Sequence, residues 1–198
     1  MNKQNFDKEM QRIILELDGQ KPSLLLHSCC APCSTAVIER LKEHFDLTVL
    51  YYNPNIDDEK EYQKRLLEQR KFCDKLGIKV IEIGHDTNEF YKAVVGLEDS
   101  LEGGKRCFSC YELRLRKTAE HAKEFGYDYF TTTLTVSPLK NADKINEIGL
   151  ILEKEMGVSF LPSDFKKRNG YLRSIILSKE NGLYRQDYCG CSFSKKNR

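Results

Sequence analysis

Short apolar runs alternate with longer helical patterns along this 198-residue chain, and that alternation admits few folds. Strands interleaved with helices build βαβ units and a parallel sheet. Residues 23–28 (SLLLHS) read as a first strand, nearly all apolar, as a strand covered on both faces has to be. Pro32 then fits the first turn of a helix running to about residue 44. Residues 47–52, 79–83, 127–134 and 158–161 supply four further strands. Helices are expected over about 58–76, where Gly77 ends the pattern, then 88–95, 110–125, 142–156 and 171–180. The expected architecture is a Rossmann-like open parallel sheet of about five strands flanked by helices. Ligands of such sheets bind beyond the carboxyl ends of the strands, near the switch in strand order. The end of the first strand and the polar run 131–138 (TTTLTVSP) would both face that crevice.

The length suits one domain over residues 1–198, and 40% hydrophobic with 31% charged residues excludes a disordered chain. No apolar stretch approaches the roughly 20 residues of a membrane span. Acidic residues within the first helical pattern argue against a secretory leader, so a cytoplasmic protein is expected. The net charge of +2 is unevenly spread. Residues 165–198 hold nine Lys or Arg and two Asp or Glu, a balance of +7 that leaves −5 on the rest. This basic C-terminal segment suits a polyanion such as RNA, or a solvated tail.

Seven of the eight cysteines fall in three clusters: Cys29, Cys30 and Cys33; Cys107 and Cys110; Cys189 and Cys191. In a chain of this class, such thiols gather around a soft metal or a redox centre rather than form a disulfide framework. Cys107-x-x-Cys110 suits zinc, an iron–sulfur centre or a redox dithiol. Adjacent Cys29 and Cys30 complete a tetrahedral single-ion site less readily than the spread corners of a cluster. With Cys107 and Cys110 they give the four thiolates of a [4Fe–4S] cluster, zinc being the alternative. Cys30-Ala31-Pro32-Cys33 also reads as a thioredoxin-like motif, so Cys33 stays open between a second metal, redox chemistry and a filler of the first helical turn. Cys189-Gly190-Cys191 reads as a redox dithiol on a mobile tail, or as a ligand pair, with glycine supplying the turn. Cys73 shares a helical face with Tyr62, Leu66 and Leu76 and reads as a core thiol.

Taken jointly, six segments resemble the QueH-type epoxyqueuosine reductases over nearly the whole chain. They are CCAPC after the first strand, YYNPNI (51–56), RCFSCYELRL (106–115), FTTTLTVSP (130–138), DFKKRNGY (164–171) and LYRQDYCGC (183–191). The resemblance implies an enzyme that reduces epoxyqueuosine to queuosine at the wobble base of tRNA. The epoxide oxygen leaves its cyclopentane ring as water, an alkene remains, and two electrons and two protons are consumed. Also implied are an iron–sulfur cluster on Cys29, Cys30, Cys107 and Cys110, a redox-active pair at Cys189 and Cys191, and the HUP-type fold of ATP-dependent tRNA-modifying enzymes. Those relatives carry a Gly/Ser-rich pyrophosphate loop where this chain has His-Ser-Cys-Cys-Ala-Pro-Cys, so no ATP chemistry is expected. A second electron would come from the Cys-Gly-Cys dithiol or a second iron near Cys33, fed by an unidentified electron donor. Asp164, Asp187 and Tyr188 are candidate acids for the epoxide oxygen. Lys166, Lys167, Arg168, Arg173, Arg185, Lys195, Lys196 and Arg198 would contact phosphates of the anticodon loop. Tyr171, Tyr184 and Tyr188 would stack on its bases. The alternatives are a metal-free thioredoxin-like dithiol oxidoreductase and a zinc-stabilised RNA-binding module without catalysis.

Overall fold

The computed structural model describes residues 4–196, the side chain of Lys196 excepted. Five strands form one all-parallel sheet: β1 (Ser23–His27), β2 (Asp46–Tyr51), β3 (Lys79–Glu82), β4 (Tyr129–Thr132) and β5 (Ser159–Phe160). Their order is β3-β2-β1-β4-β5. The apolar run of the first strand fixes its central place. Leu24, Leu25 and Leu26 are fully buried, Leu25 with Phe130 and Ile145 on one face, Leu24 and Leu26 with Val37 and Leu41 on the other. Each leucine covered in this way contributes about 1.5–3 kcal/mol.

Helices α1 (Phe6–Glu16), α2 (Ala31–Leu41) and α3 (Glu59–Asp74) cover one face of the sheet; α5 (Lys105–Glu124) and α6 (Ala142–Met156) cover the other. Short α4 (Thr87–Ala93) precedes α5, and α7 (Gly170–Glu180) and α8 (Ser192–Lys196) follow β5. Asn5, Asp58, Asp86 and Asn141 cap α1, α3, α4 and α6 by accepting backbone N–H groups. By contrast, α2 and α5 start at Cys30 and Gly104 with no side-chain cap. Those two helices carry the first two cysteine clusters.

The elements depart from expectation in four places. Helix α5 begins at Lys105 rather than at 110, placing Cys107 and Cys110 inside its first turns. Strand β4 stops at Thr132 because that side chain accepts the Leu134 N–H at 3.1 Å and opens a 3₁₀ turn, Thr133–Val136. Only two residues of β5 are in the strand, although the Leu161 N–H still reaches the Phe130 carbonyl at 2.9 Å. Finally, Leu76 turns outward at 41% exposure, whereas Cys73 is fully buried as a core thiol. No helix among the described residues is long and apolar enough to cross a membrane.

Candidate metal centre

Strand β1 pairs with β2 on one side and β4 on the other, so the strand order reverses there. A cavity of about 400 Å³ opens beside this switch point, and Cys29, Cys33, Cys107, Cys110, Cys189 and Cys191 line it. Three clusters far apart in sequence thus meet in one place. Behind Cys29 lies Cys30, its sulfur 3.8 Å away. The sulfurs of Cys29, Cys30 and Cys33 all lie within 4.8 Å of one another, a group placed to hold a metal. Cys107 and Cys110 reach the same cavity from α5 but stand outside this tight group, which takes in Cys33 instead.

A buried polar network holds the cysteine loop from below. The Ser28 hydroxyl donates to Gln69 Oε1 at 2.6 Å, and the Ser34 hydroxyl, 2.6 Å from Ser28 Oγ, donates to the Cys30 carbonyl at 3.1 Å. His27 is fully buried between Thr132 Oγ1 at 2.8 Å and the Tyr52 carbonyl at 3.1 Å. Burial, followed by the nearby Arg114 charge, drives its pKa down to about 3, so it is neutral and structural. Thr133 Oγ1 accepts the Cys29 N–H at 3.3 Å, tying the 3₁₀ turn after β4 to the loop.

The cavity is electropositive. Arg65, Arg106, Arg114, Lys140 and Arg185 line it against the carboxylates of Glu102 and Asp187. Hydrogen bonds from Cys30 and Cys33 hold the Cys29 thiol well below its ordinary range. The same contact to Cys29 pushes Cys30 up to about 12, and Cys33 rises for that reason too. The three thiols are thus coupled to one another, and a bound metal would take the place of their protons. Burial raises Cys107, lifts Cys110 to about 11 and Cys191 to about 12. Burial disfavours charge on Lys140, but Cys189, Cys29 and Cys33 outweigh it and raise that amine.

The Cys-Gly-Cys segment was expected on a mobile tail; it is instead packed as a wall of the cavity. Arg65, buried on α3, is held by Glu61 at 2.6 Å and donates to the carbonyls of Cys189 at 3.0 Å and Tyr188 at 3.4 Å. Gly190 has φ +119°, and a Cβ there would come within 2.8 Å of Ile56 and 3.1 Å of Arg65. Cys191 is buried with Phe90, Val94 and Cys110. The Cys189 N–H donates to Ser194 Oγ at 3.1 Å, and the Ser192 N–H to Asp57 at 2.7 Å. All eight cysteines are free thiols, so Cys189 and Cys191 are not joined.

Of the candidate acids, Asp187 and Tyr188 line the cavity, whereas Asp164 lies outside it in an ion pair with Lys166 at 2.7 Å. Among the expected RNA contacts, Arg168 is paired with Asp7 and Arg173 with Glu39, Lys167 is exposed, and Arg185 is exposed at the cavity. Lys195 lies 5.8 Å from the Tyr188 ring centre. Arg198 and the side chain of Lys196 lie outside the described residues. Tyr171 and Tyr188 line the cavity, while Tyr184 sits under Lys64 at 3.2 Å. The sequence reading missed Arg65, Arg106, Arg114, Lys140 and Gln186, whose amide donates to Cys30 Sγ at 2.7 Å. Arg106 and Arg114 flank the Cys107–Cys110 motif, and that placement was the available signal.

A parallel α/β sheet with a thiol-lined, cationic cavity at its switch point is an arrangement suited to a cysteine-centred metal or redox protein. Residues 24–197 match the family model of epoxyqueuosine reductase QueH. The chain is 42% identical to epoxyqueuosine reductase QueH of Streptococcus pyogenes serotype M1, covering 97% of this chain and 78% of that one. Against the Staphylococcus epidermidis QueH it is 44% identical, with 96% and 84% covered, and against that of Thermotoga maritima 38%, with 89% and 92% covered. It belongs to the epoxyqueuosine reductase QueH family. Among solved structures, the U34-tRNA thiolase NcsA of Methanococcus maripaludis with its [4Fe-4S] cluster shares the fold at TM-score 0.55 and 14% identity, over 96% of this chain and 68% of that one. A predicted tRNA methyltransferase subunit of Methanocaldococcus jannaschii does so at 0.51 and 12%, with 81% and 89% covered.

Proposed function

We propose that this protein reduces epoxyqueuosine to queuosine in tRNA, as its family name describes, and that the whole chain acts as one cytoplasmic unit. The observation that carries the reading is the convergence of six cysteines from three remote segments on one cavity. The donor set fits a thiolate-bound metal centre: soft ligands, two uncapped helix starts, and buried cations to balance negative charge. Cys29, Cys30, Cys107 and Cys110 would hold a [4Fe–4S] cluster like that named for the structural neighbour NcsA. When bound, such a cluster would relay electrons one at a time toward the epoxide.

The remaining roles fall to the chain itself. Arg185 and Lys140 attract the anionic RNA to the opening, and Tyr171 and Tyr188 offer stacking faces beside it. Asp187 and Tyr188 are the cavity-lining groups placed to deliver a proton to the departing oxygen. Oxidation of Cys189 and Cys191 to a disulfide would release two electrons and two protons, matching the loss of oxygen as water. An external electron donor then restores the thiols. A second reading has one specific support: a metal with sulfur bonds of about 2.3 Å holds tetrahedral thiolates about 3.8 Å apart, the spacing of Cys29 and Cys30. That spacing favours a single zinc ion on Cys29, Cys30 and Cys33 in place of the cluster, whereas a second iron beside an intact cluster would have to take Cys33.

Anaerobic purification followed by iron, sulfide and zinc analysis and an absorption spectrum tests this. About four irons and four sulfides per chain, with broad absorption near roughly 400 nm, support the cluster, and iron beyond that supports the second site. Stoichiometric zinc without iron would overturn the reductase reading.

A further inference from the structure

Arg114 is a buried cation whose neighbours are sulfurs rather than carboxylates. It lies on α5 one turn beyond Cys110 and is 1% exposed. Its Nε donates to the Cys110 carbonyl at 3.1 Å, and its Nη2 is buried with no partner. No carboxylate among the described residues forms an ion pair with it. Buried Arg65 differs, with Glu61 at 2.6 Å, and so does Arg106, which donates to the carbonyls of Glu98 and Ser100 at 2.6 and 2.5 Å. Desolvation opposes charge on Arg114; the groups that favour it are led by Cys110, Cys189 and Cys29, one from each cysteine cluster.

A buried guanidinium without a counter-ion is costly, and a fold retains it where an anion repays that cost. Metal centres bound by several thiolates carry net negative charge, and a redox-active one becomes more negative on reduction. We propose that Arg114 is the counter-charge of the thiolate centre: it burdens the metal-free fold, is relieved when the centre is loaded, and favours the centre's reduced state. The proposal rests on the reading that these thiolates hold a metal.

The test compares wild type with Arg114→Met, of similar length and neutral, and with Arg114→Lys, which keeps the charge. Each is prepared metal-free and then reconstituted anaerobically with ferrous iron and sulfide, or with zinc alone. Thermal midpoints are read in every state, and the cluster's midpoint potential by redox titration. Arg114→Met is expected to melt at or above wild type when metal-free and below it when loaded. Its potential should shift to more negative values, its metal should be lost to a chelator about 10- to 100-fold more readily, and Arg114→Lys should restore both. Equal lowering of the metal-free and loaded midpoints, with an unchanged potential, would show Arg114 to be packing alone and overturn the proposal. A wild type stabilised by zinc but not by iron and sulfide defeats the cluster reading, yet the zinc midpoints still decide Arg114. If neither metal raises the wild-type midpoint, both readings fall.

Discussion

At the scale of single residues, the site depends on side chains whose charge states are set by burial. His27 lies beneath the cysteine loop with its pKa driven down to about 3 from an ordinary 6.5. A depressed histidine means the fold binds the neutral ring, so its contribution is complete above about pH 6.5. It is then lost as acid charges the unfolded chain but not the folded one, at roughly 1.4 kcal/mol per pH unit down to about pH 3. The thermal midpoint of metal-free protein is expected to fall across that window, and His27→Gln to flatten the fall. A profile unchanged by the substitution would assign the acid sensitivity to other groups. The same scale explains what the sequence concealed. The three cysteine clusters are legible as one kind of chemistry because clustered cysteines have few uses. Arg65 and Arg114 were not, because a charged residue in a charged helix reads as solvated, and only the third dimension shows both buried against the cavity.

Among the elements, strands β1 to β4 and helices α2, α3 and α6 follow from periodicity, caps and glycine stops. Early α5 was misplaced because Gly103-Gly104 hides the true start, one residue past an uncapped glycine. The packed tail was invisible for a different reason. Five-residue α8 is too short to carry a period, and what docks the segment before it is Arg65, more than a hundred residues upstream. Gly190 is the hinge of that docking. Gly190→Ala is expected to cost about 1–3 kcal/mol locally, through an unfavourable φ and contact with Ile56. Hydrogen exchange should then quicken over 184–196 while the sheet stays protected. Uniformly faster exchange would mean the tail and sheet open together.

For the molecule as a whole, the uneven charge is only partly available to RNA, since Arg168 and Arg173 are held by Asp7 and Glu39. Arg185 is exposed at the cavity and no ion pair with a carboxylate is found for it among the described residues. Arg185→Ala is therefore expected to weaken tRNA binding and reduce the log K against log salt slope by about 0.7, whereas Arg173→Ala changes it little. Equal effects of the two would place the RNA elsewhere. The cavity walls also impose an order of manufacture. All five strands and four of the six cysteines that line the cavity precede residue 161 in the chain, whereas the wall bearing Cys189 and Cys191 comes last. Synthesis runs from the N-terminus, so the basin can fold while its final side is still being made. During that interval the thiols beside the switch point face open solvent. A metal arriving in that interval would meet the thiols without their final wall, and one arriving later would have to enter through the cavity's remaining mouth.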